Sequence, residues 1–303
     1  MARLRSYPGR MGRGPIAAAL LAGALAALLL ALSVSSGGAA STRHPSPFAG
    51  LGTWVDIYST EWANPEAAVA AMARHRVRTL YLETGNYSHA AAVFRPTDAG
   101  RFIDAAHAAG IRVVAWYLPA FLIVKNDARK ALAAIRFRSA TGEQFDGFAL
   151  DIEATTVRSL SLRDRRLISL SSRIRYAVGR TYPLGAITPS PVGMSPTYWP
   201  DIPYRTLSHY YKAFLSMAYF TLRGIKTRSA ARAFLASTVT DIRTASGRPK
   251  FPIHIIGGLS GSMNPKATAG FMQAVGQTKP AGYSLYAFGQ TTPAAWRALA
   301  RHS

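Results

Sequence analysis

Apolar positions along this chain recur with two spacings. Short, nearly continuous apolar runs alternate with longer segments in which apolar residues return every three or four positions, the period of a helix with one buried face. The runs are GTWVDIY (52–58), TLYLET (79–84), RVVAWYL (112–118), DGFALDIE (146–153), PLGAIT (183–188), FLSMAYF (214–220), IHIIGGL (253–259) and GYSLYAF (282–288). Each reads as a strand buried on both faces, the pattern of a parallel sheet. Helical segments fall between them. The segment at 64–76 opens on Asn64 as N-cap with Pro65 at the first helical position, and 96–110 ends on Gly110 as C-cap. Further helices are expected at 126–138, 164–179, 205–212, 227–245 and 264–276, with a last one from Pro293. Eight strands alternating with helices predict a (β/α)8 TIM barrel. An open doubly wound sheet is the alternative, but no Gly-rich phosphate loop follows a strand; GGLSGS (257–262) lacks the Lys-Ser/Thr of a P-loop.

The first forty residues have another pattern. Arg3, Arg5, Arg10 and Arg13 precede IAAALLAGALAALLLALSV, followed by SSGGAAST. A basic flank, an apolar run and small residues predict a secretory signal peptide cut after Ala40. The run is also close to the ~20 residues that span a bilayer, so an uncleaved signal-anchor helix holding the chain at the membrane remains open. Either way the basic flank stays inside and the rest is secreted or anchored to the outer face of the cytoplasmic membrane. The expected organisation is a signal at 1–40, a linker at 41–50 and the barrel at 51–303.

Charge sharpens the picture. The chain carries 36 Lys and Arg against 14 Asp and Glu, a net charge of +22. Loss of residues 1–40 removes four arginines and no acid, which leaves a net +18. The densest basic stretch, 158–180, places Leu160, Leu167, Leu170, Ile174 and Val178 at helical spacing with arginines between them, an amphipathic helix. Its basic face reads as a solvated outer surface or as adhesive to an anionic cell-envelope polymer. No nucleic-acid-binding motif is present, and nucleic acid is not an expected partner. The absence of cysteine excludes disulfides, thiolate metal sites and cysteine nucleophiles. The seven histidines are scattered without HxH or HxxxH pairs, so no metal or other cofactor is expected; His254, inside a strand, reads as a core residue. No GxSxG elbow supports an esterase.

With so few acids, their positions carry information. Side chains alternate along a strand, so Asp151 and Glu153 share the face of Ala149, while Phe148, Leu150 and Ile152 share the other. In a barrel the bulky set packs outward on the helices, which turns Asp151 and Glu153 inward at the C-terminal mouth, where such barrels keep their chemistry. Asp56 and Glu83 lie near the ends of the first and second strands and are expected on the same rim. Carboxylates crowded in an apolar cup lose hydration and repel one another, so at least one should keep its proton near neutral pH. A protonated carboxyl beside an ionised one is what glycosidic bond cleavage requires.

DGFALDIE resembles the fourth-strand signature DGxDxDxE of the chitinase-like glycoside hydrolases of family 18, and MAYF (217–220) resembles that family's sixth-strand motif. The resemblance covers roughly residues 50–290 and rests chiefly on the strand-4 motif. It implies Glu153 as general acid, Asp151 as the carboxylate assisting the substrate's acetamido group, and Tyr219 as a sugar contact. Ala149 stands where the family has its first paired Asp or Asn, and Phe220 where it commonly has an acid or amide. The relay that would use an N-acetyl group of the substrate is therefore incomplete, and Asp56 or Glu83 becomes the candidate second carboxylate.

Pyranose rings stack on aromatic faces. Trp54, Trp116 and Tyr117 come near strand ends, and the Pro-rich stretch 196–214 supplies Tyr198, Trp199, Tyr204, Tyr210 and Tyr211 as sugar contacts or as loop packing. Two functions fit: a glycoside hydrolase acting on a polysaccharide or oligosaccharide, and a non-catalytic carbohydrate-binding barrel at the cell envelope. Expressed with its own N-terminus, the protein is expected in the medium or on the membrane, with residues 45–303 open to protease from outside; full-length chain soluble in the cytosol would overturn the export reading.

Overall fold

The computed structural model describes residues 46–301, so the signal segment at 1–40 and the start of the linker lie outside the described residues. Eight parallel strands pair in chain order and close on themselves: β1 (Gly50–Val55), β2 (Thr79–Asn86), β3 (Arg112–Leu118), β4 (Gly147–Asp151), β5 (Leu184–Pro189), β6 (Ala213–Met217), β7 (Ile253–Leu259) and β8 (Gly282–Tyr286). Pairing of Gly50 with Gly282 and of Leu51 with Tyr283 completes the ring. The helices are α1 (Pro65–Arg74), α2 (Pro96–Ala108), α3 (Val124–Ile135), α4 (Leu160–Val178), α5 (Tyr204–Leu207), α6 (Arg228–Ser246), α7 (Pro265–Thr278) and α8 (Pro293–Leu299). This is the expected (β/α)8 barrel. Among the described residues no helix is long and apolar enough to cross a membrane.

Local chemistry sets the helix starts. The side chains of Asn64, Thr227, Asn264 and Thr292 each accept a hydrogen bond from a backbone N–H in the first turn, and Pro follows three of them, where a missing N–H costs nothing. Ser159 caps α4 in the same way, so that helix starts four residues before the expected 164. The helix expected at 205–212 is a single turn. It stops at Leu207 because buried Tyr211 is drawn to α4, where its hydroxyl meets Ser171 Oγ at 2.7 Å. Four strands also stop short: β8 ends at Tyr286, and three end ahead of candidate site residues, β1 before Asp56, β4 before Glu153 and β6 before Tyr219. Those three side chains therefore sit on the rim rather than in the ladder.

Alternation sorts the strand residues into two buried layers. Leu80, Leu82, Val113, Phe148, Leu150, Ile152 and Phe214 face outward against the helices, and Trp54, Tyr81, Val114, Trp116, Ala149, Ile187, Leu215 and Ile256 fill the interior. The lower interior is a hydrogen-bonded aromatic plug. Trp54 stacks on Tyr81 with ring centroids 4.2 Å apart, and its Nε1–H donates to Ser284 Oγ at 2.8 Å. Ser284 in turn lies 2.8 Å from His254 Nε2, while His254 Nδ1 faces the Phe48 carbonyl at 3.1 Å and the Tyr81 hydroxyl at 3.1 Å. Donation of the Nδ1 proton to Phe48 leaves Nε2 to accept from Ser284. Burial pushes the imidazole down to about 4, which keeps it neutral and makes His254 the core residue expected.

Glycines make room for this plug. A Cβ on Gly52 would come within 2.6 Å of the Tyr81 ring, and one on Gly185 within 2.7 Å of Leu215 and 2.8 Å of Phe48. A Cβ on Gly282 would overlap both His254 Nδ1 and the Phe48 carbonyl oxygen. Gly282→Ala is expected to cost about 1–3 kcal/mol by overpacking, read as a lower urea midpoint. Gly276→Ala, on an open helical surface with nothing within 4 Å, is the contrast and should be neutral or stabilising.

Candidate active site

Above the plug the barrel opens into a cavity of about 300 Å³, lined by Asp56, Glu83, Asp151 and Glu153 with Trp116, Met217, Tyr219 and Tyr286 among its walls. Four acids placed on one rim by strand alternation thus share a single cup. Each is held differently. Asp56 is fully engaged: Tyr286 Oη donates to Oδ2 at 2.6 Å, and Oδ1 accepts from the Tyr58 N–H and from Ser59 Oγ, both at 2.9 Å. Glu83 accepts from the Ile57 N–H at 3.0 Å and, more loosely, from Asn86 Nδ2 at 3.3 Å. Asp151 is only 5% exposed, and its Oδ1 has no hydrogen-bond partner. Glu153, two residues past β4, is fixed through its backbone, where its carbonyl accepts from Tyr198 Oη at 2.9 Å. Its carboxyl makes no hydrogen bond to any described residue and faces the cavity.

Desolvation dominates the electrostatics. Burial pushes Glu83 up to about 7, with the neighbouring Asp56 and Glu153 charges adding to the rise and the Ile57 and Asn86 donors opposing it. Asp151 is raised well above the usual carboxylate range, by burial first and then by the charges of Glu153 and Glu83. Burial raises Glu153 as well. The cup therefore raises the proton affinity of three of its four acids, and Asp151 and Glu153 titrate as a pair. Tyr219 lies against both; burial and then these two charges raise its hydroxyl far above the ordinary phenol range. The indole Nε1 of Trp116, buried in the cavity wall, has no hydrogen-bond partner. The unpartnered Asp151 Oδ1 and Trp116 Nε1 are thus polar atoms free to meet a ligand.

Three aromatic residues expected as sugar contacts do not reach the cup. Tyr117 is next to Trp116 on β3 and so points to the opposite side, where its hydroxyl donates to Asp127 Oδ1 at 2.7 Å. Trp199 is buried beneath the loop, its Nε1 donating to Asp164 Oδ1 at 2.8 Å and its ring covered by the Arg163 guanidinium at 4.7 Å. Trp54 belongs to the plug below the cup floor. Tyr204 and Tyr211 likewise pack the 196–214 loop onto the barrel. Asp146, the third acid of DGFALDIE, is away from the cup and bridges His107 Nε2 at 3.0 Å and the Val113 N–H at 2.7 Å. Conversely Tyr286, Tyr58 and Tyr87 line the cup, with Tyr58 76% exposed on its lip. Tyr286 shares the inward parity of Ser284 on β8, a signal present in the sequence; Tyr58 and Tyr87 sit on rim loops with no such register.

No family model matches the sequence, and no curated protein matches it. Solved structures do. A family GH18 chitinase from Cycas revoluta, determined in complex with allosamidin, matches at a TM-score of 0.59 and 14% identity, over 84% of this chain and 99% of that one. The spore cortex-lytic enzyme SleL of Bacillus cereus matches at a TM-score of 0.62 and 7% identity, over 84% of this chain and 74% of that one. A chitinase from Chromobacterium violaceum matches at a TM-score of 0.58 and 13% identity, over 83% and 98%. At such identities the shared property is the barrel fold, the fold that the strand-4 resemblance implies.

The burial of Glu83 makes a thermodynamic prediction. A carboxyl whose folded pKa is raised from 4.5 to about 7 stabilises the fold below the lower value, and that contribution is lost as pH rises through the upper one. Between pH 4.5 and pH 8, wild type should lose roughly 3 kcal/mol relative to Glu83→Gln, measured as the difference between their urea unfolding free energies at each pH. A pH-independent difference would place Glu83 in water.

Proposed function

We propose that this protein is an exported glycoside hydrolase that cleaves a glycosidic bond of a polysaccharide or oligosaccharide by carboxylate acid/base catalysis. The observation that carries the proposal is Glu153: a half-buried carboxyl with a raised proton affinity and no hydrogen bond to a described residue, facing the cavity beside Asp151. Such a group holds its proton more tightly than a free carboxyl and faces the space that a ligand would occupy. In this reading Glu153 protonates the leaving glycosidic oxygen, and the Glu153 carboxylate so formed accepts a proton from the incoming water. Asp151 supplies its proton or charge next to the same centre, and Tyr219 and Trp116 contribute a hydroxyl, an N–H and flat faces for the sugar.

The positive charge that grows at the anomeric carbon needs a counter-charge. Without an acid at Ala149 the relay implied by the chitinase resemblance is incomplete, which leaves the rim carboxylates. Of these Glu83 is the better candidate, because the oxygens of Asp56 are taken up by Tyr286, Tyr58 and Ser59 while Glu83 Oε1 has only the loose Asn86 contact. Export rests on the Arg-flanked apolar N-terminus. Ala149, fully buried against the plug, also supports a second reading, a carbohydrate-binding barrel that has lost turnover.

The assay is hydrolysis by wild type and Glu153→Gln across neutral, N-acetylated and acidic polysaccharides. Glu153→Gln keeps shape while removing the transferable proton and should lower turnover by ~10²–10⁴-fold with folding intact. Wild-type activity should fall as pH rises through the elevated Glu153 pKa, because the acid must be protonated. Equal rates in both proteins would remove Glu153 from the chemistry; oligosaccharide binding without any wild-type turnover would favour the binding barrel.

A further inference from the structure

A larger concavity, of about 1090 Å³, lies at the opposite end of the barrel. It is built by the segments that lead into strands, namely the end of α4, the connection from α5 to β6 and the connection from α6 to β7. The cup is built at the other ends of the strands, so both sites can be occupied at once. Twelve residues line the concavity, and five of them are cations: Arg175, Arg180, Lys212, Arg248 and Lys250. No carboxylate lines it. None of the five makes an ion pair; among the described residues ion pairs with carboxylates involve Arg95, Arg101 and His107.

Two of these cations are fixed in place by neutral partners. Arg175 donates from Nε to the Tyr210 carbonyl at 2.7 Å and from Nη1 to those of Gly179 at 2.7 Å and Tyr182 at 2.9 Å. Arg248 donates from Nη1 to the Ser208 carbonyl at 2.9 Å, and its guanidinium sits over the Phe251 ring at 5.4 Å. Carbonyls orient a guanidinium without cancelling its charge. The walls therefore carry preorganised positive charge, and exposed Arg180, Lys212 and Lys250 add mobile charge at the lip. The half-buried Tyr210 presents a flat ring among them.

We propose that this groove binds an anionic glycopolymer, a flexible chain bearing repeated phosphate or carboxylate groups, and so holds the protein on a charged matrix while the cup is free to act. A single small anion would meet only part of five cations spread around such a volume, whereas a repeating polyanion satisfies all of them. A duplex nucleic acid is the poorer fit, because its reader inserts a helix or ribbon into the major groove, and here the cations line a hollow. The recess suits one flexible strand, and the ring of Tyr210 suits a sugar face.

The test compares two triple variants of the full-length chain in nonionic detergent that lose the same charge. Arg180→Ala with Lys212→Ala and Lys250→Ala strips the lip without touching a hydrogen bond. Arg129→Ala with Arg136→Ala and Arg173→Ala removes three exposed cations from the α3–α4 surface. Binding to poly(glycerol phosphate), to polygalacturonate, to neutral dextran and to oligothymidylate is measured against salt. The groove variant should bind at least one anionic glycopolymer ~10-fold or more weakly, and its log K against log salt slope should flatten by about 2, as expected for three lost contacts on a flexible polyanion. The α3–α4 variant should match wild type, and dextran should not bind. Preference between the phosphate and carboxylate polymers identifies the source of the charge. Equal weakening by both variants would assign the attraction to diffuse charge and overturn the groove, as would tighter binding of oligothymidylate than of either glycopolymer. Glu153→Gln should bind the polymers like wild type, so this inference and the proposed hydrolysis stand or fall separately.

Discussion

Everything at the mouth of this barrel rests on the packing at its foot. Trp54, Tyr81 and His254 are too large for an eight-stranded interior unless the neighbouring strands give up side chains, and Gly52, Gly185 and Gly282 do so. In return each polar atom of the plug finds a partner: the indole N–H on Ser284, the serine hydroxyl on His254, the imidazole N–H on Phe48. A buried network of this kind tolerates one arrangement only, since any slip strands a donor in a low-dielectric interior. It fixes strand register, and register decides which acids reach the rim.

The cup shows what that rigidity permits. A mobile site would let its carboxylates turn outward and hydrate. Held on strand ends above an aromatic floor, Glu83 and Asp151 stay 3% and 5% exposed, and burial raises their proton affinity instead. The arrangement opposes folding at neutral pH, and its persistence in a chain with 14 acids in all is the physical argument that the acids serve a ligand.

Much of this was legible in the sequence, and the reason lies in parity. Inward and outward residues alternate along β4 without the register shifts that interrupt the pairing at Glu83–Gly85 and Ile256–Leu259, so the spacing of Asp151 and Glu153 against Phe148, Leu150 and Ile152 set the orientation of that strand. The same rule separates Trp116 from Tyr117: adjacent residues cannot both face the cup, and Tyr117 goes to Asp127. Loops carry no such rule. Trp199 and Tyr211 look equally suited to a cleft wall or to loop packing until their partners on α4, Asp164 and Ser171, are in place, and those contacts span 35 and 40 residues. Tyr58 and Tyr87 were hidden for the same reason. The foot groove was hidden differently, because its five cations come from three separate connections and form no run in the chain.

The sealed foot has a consequence for traffic. Among the described residues the plug closes the interior below the cup, so whatever enters the cup must leave by the way it came. A linear polymer cannot thread through such a well. On the proposed hydrolase reading, it must either lower one end into the cup or lie across the lip and dip a single unit toward Glu153, and the narrowness of the well then sets how sharply the strand bends.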